Sequence, residues 1–142
     1  MVDYRGWNCK KCYNVNIHNT EFRSKLVNLG LDYSIVYDKK IPWSILQSPR
    51  NIVIKFLNGL FNGDGSCFLF DNPKKTGKKF LGVAYYSVSE QLIDELQVLL
   101  LKLGYLCNKQ SRKSAISDKP QWMLRLNGEY AYDLARKLDI PR

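Results

Sequence analysis

Acidic residues, histidine and sulfur are all scarce in this chain of 142 residues: 13 Asp and Glu stand against 22 Lys and Arg, with one His, four Cys and two Met. A single histidine leaves no room for a site built from several imidazoles, and His18 reads as an ordinary polar residue at a strand end, since nothing nearby has catalytic spacing. Four cysteines are too few to replace a core, and the length allows a sizeable core without disulfides or metals. No segment has the form of a secretory leader, and no apolar run is long enough to cross a bilayer. One compact domain in a reducing, intracellular setting is the expectation.

Positive charge is present in excess. The formal net charge is +9 and the pI about 9.4, with lysine and arginine spread along the chain, so a polyanionic partner is expected. The "CKKC" of Cys9 and Cys12 has the spacing of half a zinc ribbon, but no second CxxC pair completes four ligands. An exposed turn with two free thiols is the plainer reading, and a partial zinc site completed by His18 is the other.

Elements follow from periodicity and punctuation. Residues 1 to 12 read as a loose arm. "YNVNI" alternates, placing Val15 and Ile17 on one face of a short strand. Phe22, Leu26 and Leu29 then give a helix from about Asn19 or Thr20 that stops at Gly30. Pro42 and Pro49 break up the next stretch, in which Trp43 reads as a packing anchor. Ser48 as N-cap and Pro49 at the first helical position start another helix, whose Ile52, Val53, Phe56, Leu57, Leu60 and Phe61 spread over more than one face; burial on most sides is expected.

"SCFLF" and "KFLGVAYYSV" form a hairpin with a lysine-rich tip. Leu92, Ile93, Leu96, Leu99, Leu100 and Leu103 make an amphipathic helix, with Ser87 and Glu90 at capping-box spacing and Gly104 as its stop. "YLCNKQ" and "QWMLRLN" are a second strand pair, and "GEYAYDLARKL" is a closing helix. The fold class is therefore α+β: a four-stranded antiparallel sheet with helices on one face, in the order αββαββα, preceded by a partial strand-helix unit. The open face is expected to carry Tyr85, Ser87, Lys109 and Arg125, with Lys74, Lys75, Lys78, Lys79, Arg112 and Lys113 at the hairpin tips. Residues 13 to 31 also superpose on 122 to 140 without a gap, pairing Val15 with Leu124, Ile17 with Leu126, Leu29 with Leu138 and Leu31 with Ile140.

In "FLNGLFNGDGS" a helical pattern runs into Asn62-Gly63-Asp64-Gly65. Asp-Gly after a helix is most often a capping turn; the alternative is a metal site. Leu57 to Gly65 resembles the LAGLIDADG signature of homing endonucleases, with the final acid and both framing glycines in place and Asn62 where that family often has an acid. "SVSEQLIDELQVLLLKLGY" resembles the second helix of that family, and "KKIP" resembles its Lys-x-Ile-Pro segment.

The resemblance implies a site-specific DNA endonuclease. Asp64 and the carbonyl of Gly63 would face a divalent metal, most plausibly magnesium, Lys39 would be the catalytic lysine with Lys40 as rival, and Leu57, Gly59 and Leu60 would meet a second motif helix. It implies double-stranded DNA as partner, no membrane, and an intracellular location at DNA. The chain shows one motif where a complete enzyme has two. Residues 1 to 48 resemble the tail of a first repeat and 49 to 142 a nearly whole one, so the second half is expected from a homodimer or from a separate chain, as in a split enzyme; a decayed remnant is the third case. The functional alternative is a non-catalytic nucleic-acid-binding module of the same fold, an RNA maturase or regulator.

Overall fold

The computed structural model describes residues 16–31, 38–71, 77–113 and 120–140. The expected arm, Cys9, Cys12, Lys74 and Lys75 lie outside the described residues. In chain order the elements are α1 (Thr20–Asn28), α2 (Trp43–Leu46), α3 (Arg50–Asp64), β1 (Gly65–Asp71), β2 (Lys79–Ser87), α4 (Glu90–Lys102), β3 (Asn108–Lys113), β4 (Pro120–Asn127) and α5 (Glu129–Lys137). From α3 onward the order is the expected αββαββα. The strands form one antiparallel sheet in the order β1-β2-β4-β3, so the two hairpins meet along β2 and β4.

Helices α3, α4 and α5 cover one face of this sheet. The core between the layers joins Val53, Leu57 and Phe61 of α3 to the leucine stripe of α4, to Leu81, Val83, Tyr85, Leu124 and Leu126 of the central strands, and to Ala131 and Leu134 of α5. All six stripe residues expected in α4 are buried. Gly104 takes φ +93°, a left-handed conformation that glycine adopts without a Cβ penalty, and the helix closes with a bond from the Tyr105 amide to the Leu100 carbonyl at 2.9 Å.

Several local expectations are corrected. Ser89 rather than Ser87 caps α4: its hydroxyl accepts the Leu92 amide at 3.2 Å, while Ser87 Oγ accepts the Ser89 amide at 3.0 Å. Pro49 is the cap of α3, with an extended ψ of 159°, and not its first helical residue. The Ser48 hydroxyl does not cap α3 because it donates backwards to the Ser44 carbonyl at 2.7 Å. Helix α3 is buried along one stripe only, Val53, Leu57 and Phe61, while Ile52 is 38% exposed and Gly59 is open, because none of the described elements covers its outer side. The described part of "YNVNI", residues 16–17, is irregular, and Ile17 is 62% exposed.

The gapless superposition reappears as backbone geometry. It lays α1 onto α5 end to end. The Leu29 amide bonds to the Lys25 carbonyl and Leu31 to Leu26, and the paired bonds Leu138 to Leu134 and Ile140 to Ala135 repeat them at 2.9 and 3.1 Å. Gly30 (φ +92°) and Asp139 (φ +47°), the residues that reverse the chain, also pair. Burial differs: α5 buries Ala131, Leu134 and Ala135, and α1 buries nothing.

Candidate nucleic-acid and metal site

Helix α3 brings Asp64 to its own C-terminal end. Two turns of core contact fix that end, since Leu57 and Phe61 are fully buried and the Phe61 ring stands 5.5 Å from the ring of Tyr85. Gly65 then allows the turn into β1: a Cβ there would lie 2.4 Å from the Phe61 carbonyl oxygen, which no side chain tolerates. Gly63 and Gly59 meet nothing within 4 Å, so their lack of a side chain serves no contact inside the described residues.

Asp64, Lys39, Tyr85, Ser87 and Gln121 line a cleft of about 340 Å³. Lys39 reaches it because α4 pins the preceding loop. Ser89 Oγ donates to the Lys39 carbonyl at 2.5 Å, Glu95 accepts the Ile41 amide at 2.6 Å, and Ile41 is buried. Lys40 lines a different cavity, between Trp43, Val27 and Glu95. The structure thus separates the rival lysines and sets Lys39 with Asp64.

Burial, and then the charge of Asp64, push the Tyr85 hydroxyl up to about 12. Tyr85 therefore stays protonated at neutral pH, a donor beside a carboxylate. The end of α3 carries the negative pole of the helix dipole and the carbonyls of its last turn, of which Phe61 accepts the Gly65 amide and Gly63 is a member. A carboxylate among carbonyls suits a hard cation with oxygen ligands. No group of three or more His, Cys, Asp or Glu that could hold a metal exists among the described residues. The donor type fits a divalent ion, but one carboxylate leaves most of its coordination to other oxygens.

The strand register corrects three expected positions on the open face. Leu81, Val83 and Tyr85 share a side and are buried under the helices, Tyr85 to 3%. Ser87 has the same parity and lies in the Asp64 cleft. Lys109 pairs with Leu124, also on the helix side, where it binds Glu90 at 2.8 Å and Asp94 and sits 4.6 Å over Trp122. Its charge is consumed inside the protein. Trp122 is packed, as its shared face with Leu124 and Leu126 predicts. Leu57, expected at a helix interface, is in the core; Leu60 is half-buried and Gly59 exposed.

The open face belongs to the other parity, with Phe68, Phe70, Phe80, Tyr86 and Arg125 half-buried on it and Met123 buried beneath its neighbours. Arg125 lies over the rings of Phe68 and Phe70 at 4.9 and 4.5 Å. Arg112 lies 5.8 Å from the Tyr86 ring centre. Lys78, Lys79, Arg112 and Lys113 are exposed at the hairpin ends. Sequence reasoning missed Phe68, Phe70, Ser89 and Glu95. For the two phenylalanines the alternation Ser66, Phe68, Phe70 was the available signal, and for Ser89 its place just before Glu90 as an N-cap; the contacts of Ser89 and Glu95 with the Lys39–Ile41 loop had none, because those partners lie some fifty residues away in the chain.

Comparison with known proteins adds the following. Residues 51–139 match the family described as LAGLIDADG-like domain. An uncharacterized protein of Methanocaldococcus jannaschii is 28% identical over 103 residues, 72% of this chain and 11% of that protein. The replicative DNA helicase DnaB of a Nostoc species is 30% identical over 110 residues, and a DNA gyrase polypeptide of Mycobacterium gordonae 36% over 72; these are 77% and 51% of this chain, and 12% of each relative. The chain thus spans only about an eighth of the length of those two relatives. The crystal structure of I-DmoI in complex with DNA and Mn aligns with a TM-score of 0.44 and 24% identity, covering 61% of this chain and 49% of the other.

Proposed function

Because the chain belongs to the LAGLIDADG-like domain family, we propose that it is a site-specific DNA endonuclease of the homing type, or one half of such an enzyme. The observation that carries this reading is the shared cleft of Asp64 and Lys39 beside an open, cationic sheet face. Similarity to short parts of a DNA gyrase and of a replicative helicase supports a module housed within long DNA-processing proteins, as an intein is.

In this reading Asp64 and the Gly63 carbonyl would hold a divalent ion, with magnesium the expected one. Such an ion polarises a phosphodiester and lowers the pKa of bound water. Lys39, which lines the same cleft, would stabilise charge on the phosphate. Tyr85, buried and protonated, offers a hydroxyl toward the same cleft and cannot compete as an anion. Exposed Lys78, Lys79 and Lys113 supply sequence-independent phosphate contacts at the rim, and the open sheet face meets base edges in the major groove.

A second active site would need a second motif helix, and the described residues contain one such helix, α3. Leu60 and the open Gly59 would give that helix a place to approach, since none of the described residues occupies the space beside Gly59. Residues 1 to 48 are the tail of a preceding repeat, and the duplicated cap geometry of α1 and α5 supports this.

Incubating the chain with a duplex DNA library and magnesium, alone and with a complementing half, should yield double-strand cuts. Asp64→Asn should abolish cutting, keep binding, and bring the Tyr85 hydroxyl pKa down from about 12 as the neighbouring charge disappears. Uncut DNA under every pairing, together with firm RNA binding, would favour the second reading, a non-catalytic RNA-binding module. The aromatic content of the open face, Phe68, Phe70, Phe80 and Tyr86, is the observation on that side, because unpaired bases stack on such platforms.

A further inference from the structure

We propose that Arg125 reads a guanine in the DNA target, and that Phe68, Phe70 and Asn127 hold its side chain in place for that purpose; the inference rests on the open sheet face being the DNA surface. Arg125 stands on the central strand β4, opposite Ala84 on one side and Asn108 on the other. Both neighbours are short, so the long side chain lies across the sheet without obstruction. Its guanidinium rests over the Phe68 and Phe70 rings at 4.9 and 4.5 Å. Phe68 can occupy that place only because residue 82 is glycine: a Cβ at Gly82 would stand 2.7 Å from the ring.

The donors are allocated as well. Arg125 Nε donates to Asn127 Oδ1 at 2.7 Å, which fixes the plane of the fork and leaves the two terminal nitrogens to an outside acceptor. No carboxylate pairs with Arg125 among the described residues. Two of the other cations with rings beneath them differ in this respect, Lys109 being bound by Glu90 and Asp94 and Lys137 by Asp133, while Arg112, over Tyr86, sits at the exposed end of β3 rather than on a central strand. A cation held on an aromatic platform without its own anion is prepared for an external acceptor.

Position separates a base from a phosphate as that acceptor. Exposed lysines at the hairpin ends lie at the rim, where phosphates pass, whereas Arg125 is in the middle of the sheet. A planar fork held at the middle of a groove-facing surface matches the paired O6 and N7 acceptors of guanine, which no other base presents. Pre-ordering also spares the entropy of fixing a side chain with many rotamers when DNA binds.

Selection of bound duplexes from a randomised library, with the whole chain, tests this. The wild-type protein should enrich one guanine strongly, and replacing that guanine by adenine should weaken binding by roughly ten-fold or more. Arg125→Lys keeps the charge and should erase the preference at that position alone, leaving the other positions and the salt dependence as they were. Asn127→Ala should blur the same position and no other, and circular dichroism checks that each variant is folded. Two results overturn the assignment: an unchanged preference in Arg125→Lys, or a loss of affinity that is uniform across sequences, which marks a phosphate contact. If the wild-type protein enriches no duplex at all while remaining folded, the DNA reading of the face fails, and this inference with it.

Discussion

Helices α1 and α5 are the same piece of local structure in two different surroundings. They have the same length, the same closing bonds and a chain reversal at the same place, Gly30 in one and Asp139 in the other. Yet Leu138 is fully buried, and its counterpart Leu29 is 52% exposed. Helix α5 lies on β2 and β4, whereas α1 is tied to α2 by the bond from Ser44 Oγ to the Leu29 carbonyl at 2.5 Å. The contrast shows that helix and cap are local properties, and that stability comes from the sheet a helix covers.

The comparison can be broken most directly at its buried leucine. Leu138→Ala should lower the unfolding free energy by about 2–5 kcal/mol, since a cavity is added to the lost transfer energy. Leu29→Ala should cost less than about 0.5 kcal/mol. Urea denaturation of the two variants measures both; equal costs would show that α1 is packed as α5 is.

A smaller difference is expected at the helix ends. Asn58 Nδ2 donates to the Leu138 carbonyl at 2.7 Å from a half-buried position on α3. Asn58→Ala should cost about 1 kcal/mol by removing the shorter of two bonds to that carbonyl, the longer coming from Asn62 Nδ2 at 3.3 Å. Ser44→Ala, which removes the bond from α2 to the exposed Leu29 carbonyl at the end of α1, should cost only about a few tenths of a kcal/mol.

Acid sharpens the comparison last. The Tyr105 hydroxyl and then Lys137 hold Asp133 ionised, lowering its pKa from 3.8 to about 2. The unfolded chain takes up this proton first as pH falls, so the contribution is complete above about 4 and disappears as pH drops through 2. The residue paired with Asp133 in α1 is Ser24, bonded to the Thr20 carbonyl, and it does not titrate. Thermal melts between pH 5 and 2 should show a steeper loss in the wild type than in Asp133→Asn.

Much of this was legible in the residues. The leucine stripe of α4, Gly104 as its stop, both hairpins and the order of elements after Pro49 follow from periods of 3.6 and 2 and from turn residues. The same patterns left strand parity ambiguous. Tyr85 and Tyr86 are adjacent, and either could have faced solvent; Leu81 and Val83, read with Tyr85, contained the answer. Lys109 was misplaced for a related reason: a lysine on a strand reads as a solvent-facing residue, and only the neighbouring α4 supplies Glu90 and Asp94 to hold it on the inner side. Caps failed by one or two residues because several serines compete, and the bond each forms depends on where the chain comes from. Ser48 turns back to Ser44, and Ser89 serves both Leu92 and Lys39.

By itself the sequence determined the kinds of element, their order, and the placing of Asp64 at the end of a helix, because each depends on residues within about one helical turn or one strand step of one another. Only the tertiary structure decided that Lys39 and not Lys40 shares the cleft with Asp64, that Tyr85 is inside, and that Arg125 lies over Phe68 and Phe70 on the other face. Those outcomes depend on contacts between residues far apart in the chain, which register and packing select and which no local pattern encodes.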